Sequence, residues 1–155
     1  MLKLSEQIYD AIRRHGEETY PHECCGVLLG RTCSDGNGVA VNDVEDAVRA
    51  GNTRTDSARN RYSIAPQELI RIQRQARDRS LDIVGFYHSH PDHPARWSAT
   101  DFAEAHWLGC SYVITSVKKG VAQDTNSFLL TGTSEENKAF ANEPMEVGVL
   151  EAERC

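Results

Sequence analysis

No apolar run in this chain approaches the ~18 residues that a membrane-spanning helix needs. Basic residues are too few for a nucleic-acid footprint, which requires a clustered basic face. There are 17 Lys and Arg against 23 Asp and Glu, for a formal charge of -6. The N-terminus lacks the basic-then-apolar pattern of a secretory signal, so the expected compartment is the cytoplasm. Cysteine is scarce and odd in number: Cys24, Cys25, Cys33, Cys110 and Cys155. In a reducing compartment that count argues against a disulfide framework. Cys24 and Cys25 are adjacent, so they lack the Cys-x-x-Cys spacing of zinc fingers and thioredoxins. Free Cys packs as a small hydrophobe, and a core role is favoured over a reactive thiol. Cys155 is expected to be exposed. Internal repeats and low-complexity segments are also missing. The 155 residues therefore read as one domain, 1–155, long enough to bury a substantial core.

What the chain does have is concentrated in one stretch, Phe86-Tyr87-His88-Ser89-His90-Pro91-Asp92-His93-Pro94-Ala95-Arg96-Trp97-Ser98-Ala99-Thr100-Asp101. Ile83, Val84, Phe86 and Tyr87 form a strand-length apolar run that Pro91 stops. Side chains alternate faces along a strand, so His88 and His90 point the same way. Two imidazoles converging at a strand end suit a divalent transition metal such as zinc. Ser98 and Asp101 carry an ordinary helix-start signal, an N-cap and an acid three residues on. Capping alone explains both. The short connection from His90 nevertheless returns the chain to the strand end, so that Asp101 faces the two imidazoles.

The combined pattern His88-x-His90-x7-Ser98-x2-Asp101, with a glutamate far upstream, resembles the JAMM (MPN+) zinc metalloprotease motif. Members of that family are deubiquitinases and related peptidases. The matching glutamate is Glu23, within Pro21-His22-Glu23-Cys24-Cys25-Gly26-Val27-Leu28-Leu29-Gly30. The segment from His88 to Arg96 is most similar to the small bacterial branch, some of whose members act on ubiquitin-like sulfur-carrier proteins. The resemblance covers roughly residues 1 to 130. Trp97 departs from it, standing where bacterial relatives often carry Pro, and is expected to alter the loop and not the chemistry. Residues 131–155 form a C-terminal extension that the resemblance does not reach.

Taken in order, Leu4 to His15 reads as a helix capped by Ser5, with Leu4, Ile8, Ala11 and Ile12 as its apolar stripe and Gly16 as its stop. Cys25 to Leu29 and Val39 to Val44 read as an antiparallel hairpin around the turn Asp35-Gly36-Asn37-Gly38. Gly51 to Arg61 is a polar loop, and the resemblance implies that it lies beside the site and contacts a substrate tail. Tyr62-Ser63-Ile64 is expected to form a brief strand. Pro66 opens a helix to about Arg79 with Leu69, Ile72 and Ala76 inward; its arginines carry no functional weight. The helix from Ser98 is expected to run to Gly109. Strands follow at Tyr112 to Val117 and Phe128 to Leu130, joined by the turn Lys118-Lys119-Gly120. Thr131 to Asn142 is read as loop, and Met145 to Val149 as an edge strand. Together these give a mixed α/β domain, a central sheet flanked by helices. The resemblance names that fold as MPN, or cytidine-deaminase-like.

By the same resemblance, His88, His90 and Asp101 supply three ligands to one zinc ion and leave a fourth position for water. Glu23 is the general base and Ser98 the donor to an oxyanion. The implied substrate is the Gly-Gly tail of a ubiquitin-like or sulfur-carrier protein. Alternatives stay open at this stage. A structural zinc site would recruit His93 or a cysteine as a fourth ligand. A cysteine hydrolase would use Cys24 or Cys25 with a histidine. A non-catalytic zinc-containing MPN module or scaffold is a third. A nucleoside deaminase is disfavoured because its His-x-Glu and Pro-Cys-x-x-Cys signature is missing.

Overall fold

The computed structural model describes residues 1–53, 62–148 and 154–155. In chain order the elements are β1 (Leu2–Leu4), α1 (Glu6–Thr19), β2 (Cys25–Ser34), β3 (Ala40–Ala50), α2 (Pro66–Asp78) and β4 (Asp82–Pro91), then α3 (Ala99–Glu104), β5 (Ser111–Lys118), β6 (Val121–Thr131), β7 (Ala139–Glu143) and β8 (Met145–Val147). The strands form one sheet in the order β7-β6-β5-β4-β2-β3-β1-β8.

Local chemistry builds the pieces. Asp35 closes the β2–β3 hairpin, its carboxylate accepting the N–H groups of Asn37 and Val39 at 2.8 and 2.9 Å. Lys119 and Gly120, at φ 50° and 83°, make the left-handed two-residue turn between β5 and β6. The sheet buries both faces. Leu28, Val84, Tyr87 and Val113 pack with Ile12 of α1 on one side. Val27, Leu29, Phe86 and Tyr112 pack with Ile72 and Ala76 of α2 on the other. Neighbours in sequence thus serve opposite layers, as strand alternation requires. Phe86, His88 and His90 fall on the α2 face, and Tyr87 and Ser89 on the α1 face.

The two edge strands, β7 and β8, are separated in sequence only by Pro144. The sheet must therefore curl until its edges approach. The Leu2 N–H donates to the Pro144 carbonyl at 2.9 Å, and the Met1 ammonium lies 3.3 Å from the Glu143 carboxylate.

Several expectations are corrected. Leu4 belongs to β1, and α1 begins after its Ser5 cap and runs on through Gly16 to Thr19. Gly16 is a contact glycine and no stop: a Cβ there would meet Val117 at 3.0 Å and Ser89 at 3.2 Å. Close approach of helix to sheet explains a residue that a helix interior otherwise disfavours by about 1 kcal/mol. Tyr62-Ser63-Ile64 forms no strand. The helix after Ser98 stops at Glu104, not Gly109, because Ala105 turns extended and Lys138 Nζ takes the Phe102 and Ala105 carbonyls at 3.0 and 2.8 Å. Within the stretch read as loop, β7 adds to β6 with Phe140 among Phe102, Tyr112 and Phe128. The expected edge strand is present but pairs in parallel with β1. Cys33 and Cys155 are disulfide-bonded, against the expectation of free thiols. Their 122-residue separation hid a proximity that Asp43 creates, by holding Arg154 and the Cys155 N–H at 3.3 and 2.9 Å.

Candidate metal centre

The site stands where β4 ends. His88 still pairs with Cys25 of β2, and β4 runs parallel to β5 as far as Pro91 and Val117. His88 is therefore held from both sides of its strand, and His90 by β5 alone. The chain then leaves through Asp92, at φ 56°, whose N–H donates to Val117 O at 2.7 Å. Asp92 accepts from the Tyr20 hydroxyl at 2.6 Å and the Lys119 N–H at 2.9 Å. Ser116 Oγ donates to His93 O at 2.7 Å, and Asn126 Nδ2 to Ala95 O at 3.0 Å. These bonds tie the connection down and bring α3 back over the strand end.

Ser98 and Asp101 form a reciprocal cap. Ser98 Oγ accepts the Asp101 N–H at 3.0 Å, and Asp101 Oδ2 accepts the Ser98 N–H at 2.8 Å. The same carboxylate faces the imidazoles. His90 Nε2 lies 3.0 Å from Asp101 Oδ2, His88 Nε2 3.3 Å from Asp101 Oδ1, and the two Nε2 atoms are 3.2 Å apart. Tetrahedral bonds of about 2.0–2.1 Å place neighbouring donor atoms roughly 3.3 Å apart. The two Nε2 atoms, and the Asp101 oxygen facing each of them, thus stand at about the spacing of ligands around a zinc-sized ion. His90 Nδ1 donates to the Pro94 carbonyl at 2.9 Å, which orients the ring and turns Nε2 toward His88 and Asp101. His88 Nδ1 is buried and has no hydrogen-bond partner among the described residues.

Glu23 precedes β2 and is 3% exposed, with Oε1 lacking a partner among the described residues. Glu23, His88 and His90 offer donor atoms all within 4.8 Å of one another, a cluster that can hold a metal ion. Burial, with the charges of Asp101 and Glu104, pushes the Glu23 carboxyl up to about 9. A divalent cation nearby reverses that preference. Burial also lowers His88, keeping it neutral and able to ligate. For Asp101 burial acts upward, but the bonds from His88, His90 and the Ser98 N–H together outweigh it and hold the carboxyl well below the usual range.

All five residues singled out in the sequence meet here. Neither His93 nor a cysteine belongs to the cluster. Cys24, Cys25 and Cys110 are buried free thiols, and burial pushes Cys24 up to about 11. Among the described residues no histidine bonds to any of them, which removes the support for a cysteine hydrolase. The polar loop reaches the site at its ends. Asn52 Nδ2 donates to Glu23 O at 3.3 Å, and the Tyr62 ring stacks on His88 with centroids 4.5 Å apart. Residues 54–61, for which substrate contact was expected, lie outside the described residues. Asn52, Tyr62 and Ser89 were missed by sequence reasoning; only the place of Ser89 between two histidines signalled anything. A pocket of about 380 Å³ opens beside Tyr62, lined also by Leu69, Phe86, Glu104, Trp107 and Tyr112.

A histidine pair on a strand end, faced by a helix-capping aspartate and lying beside a buried glutamate, gives this mixed α/β sheet a set of donors that could hold a metal ion. The chain belongs to the prokaryotic homologs of the JAB domain, whose family model matches residues 5–130. It is 35% identical over 119 residues to a desampylase of Haloferax volcanii, covering 74% of this chain and 80% of that protein. A solution structure of a protein from Desulfitobacterium hafniense superposes with a TM-score of 0.77 at 27% identity, covering 98% of this chain and 97% of the other. A JAB1/MPN domain protein from Archaeoglobus fulgidus, at 15% identity and a TM-score of 0.53 over 95% and 98% of the chains, shares the fold.

Proposed function

We propose that the protein is a zinc-dependent peptidase or isopeptidase that hydrolyses an amide bond at the Gly-Gly tail of a small ubiquitin-like or sulfur-carrier protein. The observation that carries this is the convergence of the two imidazole Nε2 atoms and the Asp101 carboxylate at 3.0–3.3 Å, with Glu23 Oε1, which has no partner among the described residues, beside the two imidazoles. His88, His90 and Asp101 are the residues that would hold zinc. When bound there, zinc supplies Lewis acidity that brings the pKa of water to about 7.

Glu23 takes the proton of the attacking water and delivers it to the leaving nitrogen. Its buried place against the cluster gives that proton a short path. Ser98 Oγ accepts the Asp101 N–H and so keeps its own hydroxyl proton free to donate. Aimed at the oxyanion, such a donor contributes about 3 kcal/mol. Tyr62, stacked on His88, excludes water from one face of that imidazole.

The ubiquitin-like character of the substrate draws support from the Haloferax volcanii relative, which bears the name of a desampylase. The test uses the purified chain and a carrier protein extended beyond its Gly-Gly end, with and without a chelator. Cleavage by the wild type, its loss on chelation, its return with zinc and its loss in Glu23→Gln are expected. Chelator-insensitive cleavage, or a Glu23→Gln variant as fast as wild type, overturns the proposal. A second reading is favoured by the nearness of Glu23 to both imidazoles: Glu23 would close the site as a protein ligand of a non-catalytic zinc module. X-ray absorption showing four protein donors, with no cleavage, would support that instead.

A further inference from the structure

Ser89 stands between the two histidines, on the opposite face of β4, and takes no part in the cluster. It is fully buried, as nearly are Cys24 at 2% and Glu23 at 3% exposed. The β2–β4 ladder ends at the pair Cys25–His88. One residue beyond, the Ser89 N–H donates to the Cys24 carbonyl at 3.2 Å, while the Cys24 N–H donates to Ser89 Oγ at 2.9 Å. A side-chain hydroxyl thus satisfies a buried amide just outside the regular ladder. That substitution lets the backbone leave the sheet at Glu23 without stranding a buried donor.

Three further contacts make the arrangement rigid. Gly16 of α1 sits against Ser89, where a Cβ would come within 3.2 Å of the serine Cβ. On the other side, Asn52 Nδ2 donates to the Glu23 carbonyl at 3.3 Å, and Asn52 Oδ1 accepts the Ser63 N–H at 3.0 Å. The single peptide group that joins Glu23 to Cys24 is thereby held at both its ends, its carbonyl by Asn52 and its N–H by Ser89. The Glu23 side chain has an orphaned Oε1 and no described bond that would aim it. Its direction therefore depends on where the backbone sets it and on the side chains packed around it.

We propose that Ser89 is the positioning residue for Glu23. Its hydroxyl, braced by Gly16, anchors the Cys24 amide and so fixes where the Glu23 carboxylate points. This rests on the reading of Glu23 as the base. Ser89 touches neither substrate nor metal, so its loss should lower kcat and leave KM and zinc binding alone.

The test compares Ser89→Ala, Ser89→Cys and Ser89→Thr in the zinc-loaded full chain. Ser89→Ala should lose about 10–100-fold in kcat, as outer-shell substitutions do, with KM and one bound zinc retained. Ser89→Cys, a weaker acceptor, should fall between it and wild type, and Ser89→Thr should restore most of kcat. Amide hydrogen exchange supplies a readout independent of turnover: Cys24 should be protected in wild type and exchange at least tenfold faster in Ser89→Ala, while Val27 and Val113 stay protected. If the alanine variant does not fold, the cysteine variant decides. Full kcat in Ser89→Ala or Ser89→Cys, or unchanged Cys24 exchange, overturns the proposal. Faster Cys24 exchange in a protein whose wild type cleaves no carrier sinks the hydrolase reading and leaves the anchor standing.

Discussion

Tyr87 and His88 are neighbours on β4, yet each belongs to a buried histidine site of opposite character. On the α1 face, His15 Nδ1 lies 2.7 Å from the Tyr87 hydroxyl, and a ring edge meets a ring face at 5.7 Å. That pair is polar, buried and mutually satisfied. On the α2 face, His88 Nδ1 and Glu23 Oε1 have no partners among the described residues. Two imidazole nitrogens and both oxygens of Asp101 crowd there, with neighbouring atoms 3.0–3.3 Å apart. An orphaned buried polar atom costs about 1–3 kcal/mol. One layer of the sheet thus uses its polar groups for stability, and the other leaves a cluster of them that could hold a cation. The difference separates a structural histidine from a candidate ligand more surely than burial does, since both are buried.

The contrast can be broken from either side. His88→Ala should have the largest effect, lowering bound zinc from one per chain to below a tenth and abolishing cleavage, as metal analysis and a cleavage assay would report. Glu23→Gln should lose about 10²–10⁴-fold in kcat while keeping its zinc, with a melting temperature no lower than wild type because a buried ionisable group is removed. Retained activity would mean that the unpartnered carboxylate is not the base.

The α1 face should instead respond to acid. Burial, assisted by Arg49, lowers His15 from 6.5 to about 4. The folded chain holds this imidazole neutral, so the unfolded chain binds the proton first as pH falls. The contribution is complete above pH 6.5 and disappears as pH falls through 4, amounting to about 3 kcal/mol. Urea unfolding of wild type and His15→Gln between pH 7 and 4 should converge at the acid end. Parallel curves would sink the assignment. Tyr87→Phe should show the smallest change, about 1 kcal/mol in stability with kcat within a few-fold, since its hydroxyl faces away from the cluster.

Much of the centre was legible because it is local. His88 and His90 share a face by strand alternation, and Ser98 with Asp101 is a capping pair whichever role it also plays. Glu23 was not legible from its own surroundings, where it looks like a surface acid before a strand. Only the resemblance singled it out. Asn52 and Tyr62 carry no motif of their own, and Ser89 only its place between the two histidines: their importance lies in what they touch. The misjudged boundaries share a cause. Gly16 continues α1 because the helix lies close on Ser89 and Val117, α3 is cut short by Lys138, and β7 forms because Phe140 finds an aromatic cluster far back in the chain.

The order of residues alone determined the shared face of His88 and His90, the Ser98–Asp101 cap, the strand that carries the histidines and the mixed α/β class, since periodicity and capping act over a few positions. Folding in three dimensions decided how close the donors come, which buried groups go unpartnered, and that the terminal cysteine reaches β2. Those properties depend on contacts between segments up to 122 residues apart, and no local preference encodes them.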